Sequence, residues 1–131
     1  MSLITTTTAS VGIDVAKDQL DVVLRVAERA LYQVFANTPV GFAALHAWVS
    51  SFGLTPGQVW VCLEATGSYS DAIALELFTL GYRLSVLNPA VLVEYRRSQQ
   101  VRSKTDKLDA HLLARYAQDH PPVRTSPCPL N

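Results

Sequence analysis

Residues 11–16 (VGIDVA) set one carboxylate, Asp14, inside an apolar run that otherwise has the composition of a buried strand. Two more strand-like runs follow after short polar breaks, at residues 19–27 (QLDVVLRVA) and 31–35 (LYQVF). Such close spacing favours antiparallel hairpins, because a parallel neighbour needs a longer crossover. The sequence therefore predicts a fold that opens with three antiparallel strands after a loose, disordered leader over residues 1–10.

Helices and further strands alternate over the rest of the chain. Asn37, Thr38 and Pro39 are typical of a helix start, with a capping side chain before a first-turn proline. That helix is predicted to end at Gly53. The later predicted elements are a strand at 58–63, a helix from a capping box at 68–71 to Gly81, a strand at 82–87, a helix from Asn88-Pro89 and a last helix at about 105–118. This order predicts an α/β fold with one mixed five-stranded sheet flanked by helices, as in ribonuclease-H-like domains.

The composition is that of one ordinary domain. The chain has 131 residues, 49% of them apolar and 17% charged, with a formal net charge of zero, which excludes a disordered, acidic or histone-like protein. Cys62 and Cys128 lie far apart without a zinc-binding spacing, and Cys62 is predicted to be a reduced core thiol. There is no signal-like or membrane-spanning run, so we expect a cytoplasmic protein.

Four carboxylates lie at positions where a buried core normally excludes charge or where α/β folds form their functional sites. Asp14 lies within the first strand, and Glu64 closes the apolar strand VWVCLE at the edge where α/β sheets place their sites. Asp106 and Asp109 are three residues apart and share one helix face. Taken singly, Asp14 could cap a turn and Glu64 could be a solvated strand end. Asp106 and Asp109 could be first-turn acids stabilised by the helix dipole. Together they predict a site for two Mg²⁺ or Mn²⁺ ions, roughly 4 Å apart.

The charges are unevenly distributed along the chain. Residues 1–80 hold three bases against seven acids, whereas residues 81–115 hold seven bases against three acids. The basic stretch leads into the acidic pair, and its members predicted to hold a nucleic-acid backbone are Arg96, Arg97, Arg102, Lys104 and Lys107. The alternative is an ordinary solvated helix face. His111, two residues past Asp109, either lines the same pocket or is an exposed helix residue.

Four short sequence words resemble a known family. They are GIDVAK at 12–17, LEATG at 63–67, NP at 88–89 and KTDKLDA at 104–110. In this order they are similar to the N-terminal domain of the DEDD insertion-sequence transposases, to which the pilin-gene invertase is related. The resemblance covers residues 11–118 and implies a RuvC-like fold of the ribonuclease H superfamily. It also implies that Asp14, Glu64, Asp106 and Asp109 are a catalytic, metal-binding tetrad for DNA cleavage and strand transfer.

The resemblance also implies partners. These are DNA, a guide RNA, further copies of the chain and a C-terminal domain with a nucleophilic serine, to which the proline-rich residues 119–131 would be a linker. That second domain has no match here, so activity of this fragment alone stays open. Alternatives are a non-catalytic nucleic-acid-binding or interaction domain, or a generic RuvC-like nuclease. An actin-like ATPase is disfavoured, because no glycine follows Asp14 before Gly41 to form a phosphate turn.

Overall fold

A computed structural model of the chain describes residues 8–65, 67–99 and 106–120, with the backbone alone for Asp106. Five strands form one sheet in the order β3-β2-β1-β4-β5. The strands are β1 (Ala9–Val15), β2 (Gln19–Val26), β3 (Arg29–Ala36), β4 (Val59–Glu64) and β5 (Arg83–Leu87). The mixed five-stranded sheet predicted from the order of elements is confirmed.

Pairing within the sheet changes direction at β1. This strand pairs antiparallel with β2, and β2 pairs antiparallel with β3. On its other side β1 pairs parallel with β4, which pairs parallel with β5. The carboxyl ends of β1, β4 and β5 therefore meet at one edge of the sheet, which we call the carboxyl edge.

Helices cover both faces of the sheet. They are α1 (Pro39–Ser50), α2 (Asp71–Leu80), α3 (Pro89–Ser98) and α4 (Asp106–Asp119). One face packs its apolar side chains against α1 and α2, as with Val11 and Ile13 of β1 against Leu45 and Ile73. The other face packs against α3 and α4, with Cys62 of β4 in the same cluster as residues of both helices. Alternate residues of each strand thus belong to two different cores.

Most predicted element ends are confirmed, and their physical cause is visible. The Thr38 hydroxyl oxygen accepts from the Gly41 amide at 3.1 Å and caps α1. Asn88 caps α3 by accepting from the Ala90 amide at 2.8 Å. Gly81 ends α2 with φ of 99°, a left-handed conformation that favours glycine. The Cys62 thiol is free and buried, and burial raises its pKa.

Several predicted bounds were wrong. The strand predicted at 31–35 begins at Arg29, and the helix predicted to end at Gly53 ends at Ser50. β1 begins at Ala9, so the predicted leader over residues 1–10 is too long by two residues, because Ala9 and Ser10 already pair with β2 and β4. The predicted capping box at 68–71 does not form. Residues Gly67–Ser70 make a short 3-10 turn instead, and the Ser70 hydroxyl donates back to the Gly67 carbonyl at 3.3 Å.

Helix α4 ends at Asp119, one residue past the end predicted at 118, and the assignment of residues 119–131 to a linker stays a prediction. Residues 121–131, with Cys128, lie outside the described part of the chain. Within that part, no helix combines the length and the apolar character needed to cross a bilayer.

Candidate active site

Asp14 and Glu64 lie side by side at the carboxyl edge. The parallel register pairs Ile13 of β1 with Leu63 of β4, and each carboxylate is the next residue of its strand. Neighbouring strands are about 4.8 Å apart. Both acids share a sheet face with Gly12 and Cys62, two residues earlier, and that face is covered by α4. Both are half-buried. The strands thus bring together two of the four predicted ligands.

Helix α4 runs antiparallel to β1, with its first turn at the carboxyl edge. Near its end, the Gln118 side-chain oxygen accepts from Arg25 Nε at 2.9 Å, and Arg25 pairs with Ser10 at the start of β1. Further back along the helix, Ala110 and Ala114 pack against Gly12. The first turn, with Asp106 and Asp109, therefore lies at the same edge as Asp14 and Glu64.

Gly12 sets the distance between the sheet and α4. A Cβ atom at this position would come within 3 Å of backbone atoms of Ala110, Leu113 and Ala114. Only glycine allows this approach, because backbone atoms of a packed helix cannot rotate away as a side chain can. The glycine two residues before Asp14 is thus what lets the acidic helix rest directly on the acidic strand.

Asp109 is completely buried and is paired with Arg96 of α3. The side chain of Arg96 is 16% exposed, and one guanidinium nitrogen contacts the Asp109 carboxylate. Arg96 Nε is buried and has no partner among the described residues. A positive charge from α3 therefore lies against a predicted metal ligand.

Of the predicted ligands, Asp14, Glu64 and Asp109 have described side chains and lie at one edge of the sheet, but these three do not form a complete metal-binding cage. Among the described side chains, which exclude that of Asp106, no three His, Cys, Asp or Glu residues are grouped so as to hold a metal ion. The donor set nevertheless fits a hard divalent cation, since carboxylate oxygens are the ligands such ions take. Asp109 already holds a cation in the form of the Arg96 guanidinium.

A further carboxylate, Asp21, lies directly opposite Asp14 in the β1–β2 pair and is 3% exposed. Gln19 Nε2 donates to its Oδ1 at 3.0 Å, and the Tyr32 hydroxyl donates to its Oδ2. The sequence prediction missed this residue. Its position opposite Asp14 follows from the short turn after β1, which is closed by the bond from Ala16 N to Gln19 O at 2.9 Å and fixes the register of the hairpin.

Lys107 connects the first turn of α4, which carries Asp106 and Asp109, to the hydrogen-bonded pair of Tyr32 and Asp21. Its ammonium nitrogen lies 4.9 Å from the centre of the Tyr32 ring, a cation–π contact. Tyr32 in turn donates to Asp21. The first turn of α4 is thus tied through β3 and β2 to the strand that carries Asp14.

The predicted basic residues occupy different environments. Arg96 is held inside against Asp109, and Lys107 lies over Tyr32. Arg97 is 70% exposed and pairs with Glu94 of the same helix at 2.9 Å. Arg102 and Lys104 lie outside the described residues. The assignment of these five residues to a nucleic-acid backbone stays a prediction.

A basic stripe runs along α4 from its acidic turn. We use this name for Lys107, His111 and Arg115, which recur every four residues and so share a helix face. His111 is half-buried, and its pKa is lowered from 6.5 by burial and then by the positive charges of Lys107 and Arg25. Positive charges therefore lie near the histidine.

The five-stranded fold with carboxylates at its carboxyl edge is typical of one structural class of proteins. The structure of Thermus thermophilus RuvC superimposes with a TM-score of 0.55 at 15% identity, covering 87% of this chain and 98% of that one. RuvC of the same organism, solved in complex with a Holliday junction substrate, gives a TM-score of 0.54 at 15% identity, covering 86% and 96%. The chain has a RuvC-like fold of the ribonuclease H class.

Sequence comparison then gives the particular family. A family model described as a transposase, that of the IS110-type DEDD enzymes, matches residues 11–129. The pilin gene-inverting proteins of Moraxella lacunata and Moraxella bovis are each 33% identical over 114 residues, or 86% of this chain. The chain belongs to the IS110-type DEDD transposase family. It spans 35% of the length of these pilin gene-inverting relatives.

Proposed function

We propose that this chain is the N-terminal catalytic domain of a DNA transposase or site-specific recombinase, which cleaves and transfers DNA strands with divalent ions. The observation that carries the proposal is the register that sets Asp14 beside Glu64, under the helix turn of Asp106 and Asp109. Family membership supports recombination as the process. The RuvC structure with a Holliday junction supports a branched DNA as substrate.

Each part of the site has a separate role in this proposal. Asp14, Glu64, Asp106 and Asp109 would hold two Mg²⁺ or Mn²⁺ ions, which when bound stabilise the attacking and leaving oxygens of the phosphodiester. Asp14 and Glu64 provide a rigid base, because both stand on central strands of the sheet. Asp106 and Asp109 stand on α4, and Gly12 sets the distance between this helix and the sheet.

The test is cleavage of a labelled four-way DNA junction by the purified chain in Mn²⁺. We expect nicking that EDTA abolishes and that falls at least about tenfold in Glu64→Gln, because the substitution keeps the size of the side chain and removes its charge. Glu76→Gln, an exposed acid on α2, is the matched control and should nick like the wild type. Equal nicking by Glu64→Gln and wild type would contradict the proposed site.

A second candidate function, a non-catalytic nucleic-acid-binding domain, has one observation in its favour. The chain spans about a third of its curated relatives, so residues beyond it could supply part of the chemistry. The same experiment separates the two functions. A wild-type chain that binds both the junction and Mn²⁺ without nicking would support the binding function. In either case the guide RNA and oligomeric assembly implied by the resemblance remain proposals.

Contact with the DNA backbone is proposed for two exposed bases on the helices that carry Arg96 and Asp109. Arg97 on α3 and Arg115 of the basic stripe are both exposed, and the Arg97–Glu94 pair on the surface holds Arg97 only weakly. Lys and Arg that contact phosphates release counterions, which makes DNA affinity depend on salt.

We therefore expect the Arg97→Ala, Arg115→Ala double variant to bind junction DNA more weakly. The slope of log affinity against log salt should fall by about 2, close to one for each lost phosphate contact. Arg83→Ala is the control, since Arg83 is exposed at the start of β5, away from the carboxyl edge. Fluorescence anisotropy between about 50 and 200 mM salt measures the slope. An unchanged slope in the double variant would rule out backbone contact at these two residues.

A further inference from the structure

The pair of Arg96 and Asp109 combines a completely buried carboxylate with a guanidinium that is only 16% exposed. A lone carboxylate is costly to bury, and a cation in contact with it removes most of that cost. The guanidinium therefore offsets much of the cost of burying the Asp109 carboxylate completely. Asp109 lies in the acidic turn of α4, where the proposed ions would bind.

The Arg96 guanidinium group does not pair all of its hydrogen-bond donors within the described part of the chain. Its Nε is buried and has no acceptor among the described residues, although an arginine carries five N–H donors in a fixed fork. A buried donor without an acceptor costs free energy. Arg96 thus contacts Asp109 while its own Nε–H group stays without a hydrogen-bond acceptor among the described residues. This is the pattern of a residue placed for its charge rather than for an optimal hydrogen-bond network.

We propose that Arg96 is the resident counter-cation of Asp109, and that a divalent ion must displace it to use this carboxylate. This inference rests on the proposed function, because it assumes that Asp109 is a metal ligand. A carboxylate oxygen engaged by a guanidinium cannot coordinate an ion without bringing two positive charges close together in a site of low dielectric, where they repel. Arg96 and the metal ion therefore compete for the Asp109 carboxylate.

A different role for the same contact predicts the opposite result. If Arg96 orients Asp109 for the ion from behind, as outer-shell partners do, its removal should weaken metal binding. If Arg96 competes with the ion, its removal should strengthen metal binding. The sign of the change in Mn²⁺ affinity therefore distinguishes competitor from positioning residue.

The experiment is calorimetric titration of Mn²⁺ into the wild-type chain, Arg96→Met and Arg96→Lys. Arg96→Met keeps an apolar stem and removes the charge, and its Kd for Mn²⁺ should be on the order of tenfold lower, since the site no longer has to open first. Arg96→Lys should lie between the two, because it keeps the charge and loses the planar fork. Arg83→Met removes the same charge from an exposed position at the far end of β5 and should bind like the wild type. Equal or weaker binding by both Arg96 variants would overturn the proposal.

A metal-free measurement separates failure of this inference from failure of the proposed function. In EDTA, thermal unfolding of Arg96→Met, Asp109→Asn and the double variant forms a double-mutant cycle. We expect each single variant to unfold at a lower temperature and the double variant to recover part of the loss. Independent effects would overturn the counter-cation role whatever the metal does. Coupling in EDTA without Mn²⁺ binding by any variant would overturn the proposed function and the competition with it. If Arg96→Met does not fold, Arg96→Lys provides both measurements.

Discussion

Gly12→Ala is expected to lower the free energy of unfolding by about 3 kcal/mol or more, at the upper end of the range for overpacked cores. The added methyl group would come within 3 Å of the backbone of α4 at Ala110, Leu113 and Ala114. Neither β1 nor α4 can yield easily, because β1 lies at the centre of the sheet and α4 is packed along it. The helix must move outward, and its acidic turn must move with it.

Urea denaturation followed by circular dichroism measures this loss. The matched control is Gly57→Ala, where a Cβ atom would meet nothing within 4 Å and where the backbone is not left-handed. We expect that variant to stay within about 0.5 kcal/mol of the wild type. Equal denaturation midpoints for Gly12→Ala and Gly57→Ala would contradict the close approach of α4 to β1.

Much of the fold follows from local sequence. The short breaks after the runs at 11–16 and 19–27 predicted the antiparallel start, and Thr38, Gly81 and Asn88 fixed helix ends by chemistry that neighbouring residues complete. The wrong capping box shows the limit of such local patterns. Residues 68–71 have a nearly suitable sequence, but Gly67–Ser70 fold into a short 3-10 turn and α2 begins only at Asp71, so Ser68 does not stand at the N-cap position.

The candidate site was predicted in part. Asp14 and Glu64 stood out because each interrupts or ends an apolar strand, and the sheet register then brings them together. The environment of Arg96 could not be predicted, because its run of polar and basic residues resembles a solvated face. Only the packing of α3 beside α4 directs Arg96 inward to Asp109 while Arg97 remains outside.

Asp21, Tyr32 and Lys107 illustrate the same limit at a longer range. They belong to three different elements, and each is ordinary in its local sequence. The hydrogen bond from Tyr32 to Asp21 and the placement of Lys107 over the Tyr32 ring arise from the β2–β3 register and the position of α4. Contacts of this kind depend on tertiary structure and leave little trace in a single sequence.

Asp14→Asn is expected to abolish the binding of Mn²⁺ by the chain. Asp14 occupies the central strand, next to Glu64 and opposite Asp21, so an ion bound between Asp14 and Glu64 would depend on it directly. Asparagine keeps the shape of the side chain and removes the charge that a hard cation requires. The affinity should fall at least about 100-fold, because even outer-shell partners of a metal contribute about 10- to 100-fold.

Asp18→Asn provides the control for this substitution. Asp18 is exposed in the turn that follows β1, and its replacement removes the same charge four residues away from Asp14. Circular dichroism checks that both variants are folded, so that a loss of metal binding is not a loss of structure. Any general effect of net charge on Mn²⁺ affinity should appear equally in the two variants.

Calorimetric titration of Mn²⁺ into the wild type, Asp14→Asn and Asp18→Asn tests the central claim most directly. A carboxylate site at the carboxyl edge predicts saturable heat for the wild type and Asp18→Asn, and none for Asp14→Asn. Equal Mn²⁺ binding by folded Asp14→Asn and wild-type protein would contradict a metal site built on Asp14 and Glu64.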